Sequence, residues 1–206
     1  MADTKPTTRD AERTKDAILN AATQLFAAHG FDGASIGGIA DLAGVSRATP
    51  VFFFTNKDGL WRAVLDRANR DALEVAPRAF ARLGAATDPT QIIESLVDAF
   101  LEFIDAHPHF FRLVQWSELQ RNAAINELPS QWDAIASAIE TVTTLLHGQG
   151  QSEDARQVVM SIIAVCTAHV VFGQTLGTPL GVDVRSPEFL NARAVHLKRL
   201  IVAALT

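Results

Sequence analysis

The chain has 206 residues, 48% of them hydrophobic and 20% charged, with a formal net charge of −5. That balance describes a folded protein with one large or two modest cores. It excludes a disordered chain and a polycation that coats nucleic acid by bulk attraction. A single cysteine, Cys166, excludes an intramolecular disulfide and fits a reducing compartment, so a cytoplasmic setting is expected.

Residues 1–8 are polar, contain Pro6 and carry no apolar h-region, so they read as a loose tail and not as a secretion signal. From Arg9 to His29, Ile18, Leu19, Ala22, Leu25 and Phe26 recur at helical spacing, and Gly30 stops the helix. Ser35 is placed to cap a second helix with Ile36, Ile39, Ala40 and Ala43 inward. Gly44 supplies the freedom for a tight corner, and Ser46 is predicted to cap a third helix running to Phe54. Pro50 falls near the start of that helix and forfeits only its first bond. A fourth helix starts near Asn56, with Thr55 and Asp58 as a capping box, and runs to about Ala76. Two short helices held across a fixed corner can present the second one to a DNA groove.

The segment Arg78–Pro89, with Gly84, reads as a break setting off a helical body. Ile92 to Ile104 form a broad apolar helix ending at His107-Pro108, and Phe110–Arg121 form another. Trp132, Ile135, Ile139, Val142 and Leu146 make a stripe at helical spacing, ended by His147–Gly150. Ser152 is predicted to open the next helix, whose segment Val158–Gly173 is apolar nearly all round. That run holds Ser161, Thr167 and His169 and falls short of the ~20 residues that span a bilayer, so no membrane role is expected. A helix without a polar face must be buried on more than one side. One side can face the body and the other a second subunit, through Val158, Ile162 and Val165 with Leu197 and Ile201 of the last helix. Gly173–Arg185 reads as a loop, and Ser186-Pro187-Glu188 opens the last helix. The expected fold is all-α, about nine helices: a helix-turn-helix head over 9–66 and a helical body over 67–206.

Residues Arg13 to Leu65 resemble the DNA-binding domain of the TetR family of bacterial transcription regulators. The resemblance rests on Ile18-Leu19, Ala21-Ala22, Leu25-Phe26, Gly30-Phe31, Ser35-Ile36 and Ile39-Ala40. It continues through Ala43-Gly44-Val45-Ser46-Arg47, Thr49, Phe52-Phe53-Phe54, Asn56-Lys57-Asp58 and Leu60. It implies a homodimer formed by the two C-terminal helices, a double-stranded operator and a small-molecule effector bound in the body. Tyr is common in the family at the positions of Val51 and Phe52, whereas this chain has no Tyr, so Phe52 can stack but cannot donate to phosphate.

On this reading Ser46, Arg47, Ala48, Thr49, Val51 and Phe52 enter the major groove, with Arg47 able to pair bidentately with guanine. Ser35 and Lys57 meet phosphate. Seven Lys and Arg face eight acids in residues 1–66, so binding relies on placed cations and on doubling by the dimer. Phe100, Phe103, His107, Phe110, Phe111, Trp116, Trp132, His169 and Phe172 are candidates to line a pocket for an apolar or amphipathic effector, core packing being the alternative for each. His107-x-His109 has no further ligand at zinc spacing, and no phosphate-binding or nucleophile-elbow motif is present, so neither metal nor cofactor is expected. Two rival readings stay open. One is a helical binding protein that has lost specific DNA recognition. The other is an enzyme using Cys166 and His169.

Overall fold

The computed structural model describes residues 8–84, 88–120, 123–148, 150 and 154–205. Among these residues there is no strand. The α-helices are α1 (Thr8–Gly33), α2 (Ile36–Ala43), α3 (Thr49–Phe54), α4 (Lys57–Leu73), α5 (Val75–Leu83) and α6 (Pro89–Ala106). They continue with α7 (Phe110–Leu119), α8 (Pro129–Gly148), α9 (Ala155–Val171), α10 (Gly173–Leu180) and α11 (Pro187–Leu205), with a 3-10 turn at Ala123–Glu127.

The chain forms two compact units. The first, the head, takes residues up to Ala68 together with Arg112–Leu128; the second, the body, takes Asn69–Phe111 and Pro129 onward. Arg112–Leu128, expected in the body, thus belongs with the head: Leu113 is fully buried in the head's core beside Leu60, Trp61 and Leu65. An apolar stripe says that a helix is covered, not by what. Both α4 and α7 therefore run from one unit into the other along the chain.

The head is centred on Trp61, fully buried with Phe26 edge-on at 5.0 Å and Phe31 at 5.8 Å. Rings packed this way add to area burial through their quadrupoles. Arg67 donates to Asn20 and Thr23, tying α4 to α1 at 3.0 and 2.9 Å. Gly30 breaks α1 with φ 71° and ψ −178°, a conformation open to glycine.

In the body, Ile93, Val97, Phe103, Phe111, Val142, Leu146, Val159, Cys166, Leu197 and Ile201 form one core. Lys198 reaches Asp98 at 2.8 Å, joining α11 to α6, and Arg193 Nη2 donates to the Val165 carbonyl at 2.7 Å, joining α11 to α9. His107 lies with Nε2 3.0 Å from the Asp71 carboxylate and Nδ1 2.9 Å from the Phe103 carbonyl.

Three expectations about elements change. The fourth helix ends at Leu73, not Ala76, and Arg78–Leu83 is helical, not a break. Pro77 falls in the first turn of α5, where a missing N–H costs no intrahelical bond. Gly173–Leu180 is a helix, not a loop: Gly173 and Gly177 are buried, and a Cβ at Gly173 would sit 2.7 Å from Val184 Cγ2. Those glycines serve close packing, which composition alone cannot separate from a turn. Asp154 caps α9, accepting from Arg156 N at 3.0 Å; the expected cap, Ser152, lies outside the described residues.

Candidate DNA interface

The corner is built by backbone hydrogen bonds. Ser35 Oγ accepts from Gly38 N at 3.0 Å and starts α2. Gly44 ends it with φ 69° and ψ 32°. Its N–H donates to Asp41 O at 3.3 Å while Val45 N donates to Ala40 O at 3.0 Å, the paired bonds of a Schellman end. Val45 packs back on the head's core, which fixes the angle at which the chain leaves. Thr49 N then bonds Ser46 O at 2.9 Å, closing a turn over Ser46–Thr49.

The third helix is shorter than expected. It begins at Thr49, with Ala48 at the cap position, and Pro50 sits in its first turn. Pro50 therefore removes no intrahelical bond, and its ring is buried, as is Phe54. The opposite side is open: Phe52 is 82% exposed, and Val51, Ser46, Arg47 and Ala48 are exposed with it. Among the described residues Arg47 holds only a 4.0 Å contact with Asp41, both side chains well solvated. Thr49 is half-buried, with its hydroxyl 2.8 Å from that of Ser46. One hydroxyl of that pair donates to the other, leaving a single O–H to offer outward.

Lys57, at the start of α4, sits 4.7 Å above the Phe31 ring and donates to Asp32 O at 3.4 Å. The helix cap is Asn56, not the predicted Thr55 box: Asn56 Oδ1 accepts from Gly59 N at 2.8 Å. Thr55 carries φ 69°, the strained residue of the α3–α4 connection. Gly59 escaped the sequence reading; a Cβ there would meet Phe54 O at 2.2 Å. The signal available was the shortness of the link between two helices. Arg62 is held by Asp58 at 2.8 Å and Glu127 at 2.7 Å, joining α4 to the 3-10 turn inside the head.

The structure brings together five of the nine pocket candidates. Phe100, Phe103, His107, Phe110 and Phe111 pack ring to ring in the body, with centroids 4.6 to 6.3 Å apart. Phe103 and Phe111 are buried in the body's core, and Phe100 and Phe110 pack against it half-buried. Trp116 belongs to the head, where its Nε1 donates to Ala27 O at 3.1 Å. Trp132 and Phe172 are 67% and 53% exposed, and His169 stands apart beside Phe189. A groove of about 410 Å³ lies elsewhere in the body, between α8 and α9, lined by Ile139, Thr143, Leu146, His147 and the Asp154–Arg156 pair.

The dimer candidates divide as well. Leu197 and Ile201 are 0% and 4% exposed, facing the protomer's own core, so they are corrected from interface to core. Val158, Ile162 and Val165 are half-buried against the same core. The sequence pattern marks α9 and α11 as apolar, but only packing decides which side each keeps. Apolar side chains left outward include Met160 and Ala164 on α9, and Ala192, Val195, Leu200, Ala203 and Ala204 on α11.

Cys166 is fully buried, and burial pushes its thiol up to about 11, the reverse of an activated nucleophile. Burial lowers the His169 pKa, and the nearby Arg193 charge pushes the same way. The native thiol is expected to resist a thiol reagent at pH 8 and to react on unfolding. Because the folded pKa is raised, the neutral thiol's contribution to stability holds below 9.0 and fades as pH climbs toward about 11. Rapid labelling without unfolding would contradict this.

Residues 18–64 match the family model described as bacterial regulatory proteins, tetR family, and residues 89–201 match the tetracyclin repressor-like C-terminal domain. The chain belongs to the TetR family. It is 31% identical to the transcriptional repressor SCO4008 of Streptomyces coelicolor over 68% of its length and 67% of that protein's. It is 27% identical to the transcriptional regulator RutR of Escherichia coli K12, over 96% of this chain and 92% of that one. Its fold matches the crystal structure of the regulator SCO4942 of Streptomyces coelicolor with a TM-score of 0.71 at 21% identity, covering 93% and 97% of the two chains. As a TetR-family member the protein is a helix-turn-helix transcriptional regulator, from a family of ligand-responsive DNA-binding proteins and not of enzymes. Among the described residues no single helix is long and apolar enough to cross a membrane.

Proposed function

We propose that the protein represses transcription as a homodimer, each head placing α3 in one major groove of a palindromic operator. The observation that carries this is the two-sided character of α3. Pro50 and Phe54 anchor it inward, Val51 and Phe52 stand outward in solvent, and Arg47 in the turn before it is exposed as well. Arg47 reads a guanine edge, Ala48 and Val51 meet thymine methyls, and Phe52 stacks against sugar or methyl groups. Ser46 and Thr49 share one outward hydroxyl proton for phosphate. Ser35 and Lys57 sit at helix starts, where unpaired N–H groups favour an anion.

Dimerisation uses exposed apolar residues of α9 and α11, Met160 and Ala164 on the first and Val195 and Leu200 on two flanks of the second. The effector is a small amphipathic molecule bound in the body, and the groove between α8 and α9 offers apolar walls with a charged rim. Ligand binding favours an arrangement of the two heads that does not fit the operator. A preference of a few kcal/mol for that arrangement is enough to clear the DNA.

Arg47→Ala tests the reading. Removing a bidentate base contact costs about 1–3 kcal/mol per head, roughly five- to 150-fold in affinity for each half-site. The thermal midpoint is expected to stay put, because Arg47 is solvated and its contact to Asp41 is a loose 4.0 Å one. A gel-shift titration against the intergenic DNA upstream of the protein's own gene measures the first, and a melting curve the second. An unchanged affinity would sink the assignment.

A further inference from the structure

We propose that Trp116 and Gln120 are positioning residues for DNA binding, holding the end of α1 and, through it, the Lys57 ammonium. This rests on the phosphate role given to Lys57 above.

The starting point is Gly30. Its φ of 71° and ψ of −178° interrupt α1, so the Phe31 N–H no longer points back along the helix to the Ala27 carbonyl. Two backbone groups lose each other, and α7 with the residue that follows it supplies a partner for each. Trp116 Nε1 donates to Ala27 O at 3.1 Å. Gln120 Oε1 accepts from Phe31 N at 3.1 Å. Trp116 and Gln120 are four residues apart, so they lie on one face of the end of α7 and fit the gap left by a missing i to i−4 bond. Glycine is needed at position 30 twice over. Beyond its φ, a Cβ there would stand 2.8 Å from Trp116 Cε3.

The same two side chains reach Lys57. Gln120 Nε2 donates to the Asp32 carboxylate at 3.2 Å, fixing Phe31 and Asp32 together. Those two residues make the seat of Lys57: its Nζ lies over the Phe31 ring at 4.7 Å and donates to Asp32 O at 3.4 Å. A long, flexible cation is thereby given one direction. Gln120 adds little to the core, being partly exposed and polar, so its bonds hold geometry more than they fill space. All of these residues belong to the head, although α7 starts in the body with Phe110 and Phe111.

The test is a double-mutant cycle in the full-length protein. The probe is a duplex selected from a random pool by the wild-type protein, titrated across a salt series. Lys57→Ala is expected to weaken binding and to lower the salt slope by about one per head. Gln120→Ala is expected to weaken binding about fivefold and to lower the slope in the same sense, with the melting temperature close to wild type. The double variant should bind no more weakly than Lys57→Ala alone. Trp116→Phe, which keeps a ring and loses the N–H, should behave as Gln120→Ala does. Gln120→Glu keeps the acceptor for Phe31 but sets a carboxylate against Asp32; it should retain stability and still flatten the slope. Additive losses in the double variant, or an unchanged slope in both Gln120 variants, overturn the proposal while leaving the regulator reading intact. A Lys57→Ala protein that binds as wild type removes the phosphate contact and this proposal with it. A wild-type protein that selects no sequence takes down the DNA-binding reading as well.

Discussion

Gly59→Ala is expected to destabilise the head by about 1–3 kcal/mol or more and to abolish specific DNA binding with it. Helix propensity argues the other way. Gly59 lies in the first turn of α4, and alanine is better than glycine in a helix by ~1 kcal/mol. Sterics decide the sign. The Cβ of an alanine would stand 2.2 Å from the Phe54 carbonyl oxygen, a backbone atom that cannot rotate away. Relief requires α3 and α4 to separate. That would cost the Asn56 Oδ1 bond to Gly59 N and the Thr55 N bond to Val51 O, both 2.8 Å. Phe54 would lose its buried place at the same time. Since the turn before α3 carries Arg47, α3 carries the exposed Val51 and Phe52, and α4 carries Lys57, the parts of the DNA surface would lose their fixed relation. Thermal denaturation checks the stability and a gel shift the binding. A melting temperature equal to or above wild type would show that the α3–α4 link yields, and that the glycine is there for another reason.

Much of the head is legible in the chain because its devices are local. The Ser35 cap, the Gly44 end and the burial of Ile18, Phe26, Ile39 and Leu60 are each written within a few residues. Exposure of Val51 and Phe52 follows once Pro50 and Phe54 are seen to face inward. What the chain hides is pairing at long range. Gln120 meets Phe31 across 89 positions and Trp116 meets Ala27 across the same separation, and nothing local marks either residue as part of the head. Phe103 and its neighbouring rings show the matching difficulty in the body. Aromatic residues at helical spacing are equally good pocket walls and core filling, and nothing local says that Phe103 meets Phe110 and Phe111 at 5.6 and 6.3 Å. Gly173 and Gly177 mislead in a third way, because glycine serves a turn and a close helix contact equally well.

The second large effect concerns the two C-terminal helices and separates fold from assembly. Leu197→Ala is expected to destabilise the body by about 2–5 kcal/mol, because Leu197 is fully buried in the core with Val142, Val159 and Phe103. Its loss would weaken the dimer only by weakening the protomer. Val195→Glu with Leu200→Glu is expected to do the opposite. Val195 is 50% and Leu200 46% exposed within the protomer, so neither charge disturbs its packing. Across a two-fold interface each new carboxylate would face apolar side chains or its own symmetry mate, and each substitution acts twice. Sedimentation should then report a folded monomer whose helical signal and melting behaviour, at low concentration, resemble those of the dissociated wild type. Operator affinity should collapse although the DNA surface is untouched, because a palindrome rewards two linked heads and a lone head holds only one half-site. A Val195→Glu/Leu200→Glu protein that still sediments as a dimer would place the interface elsewhere. Met160 and Ala164 on α9 would then be the next positions at which to set a charge.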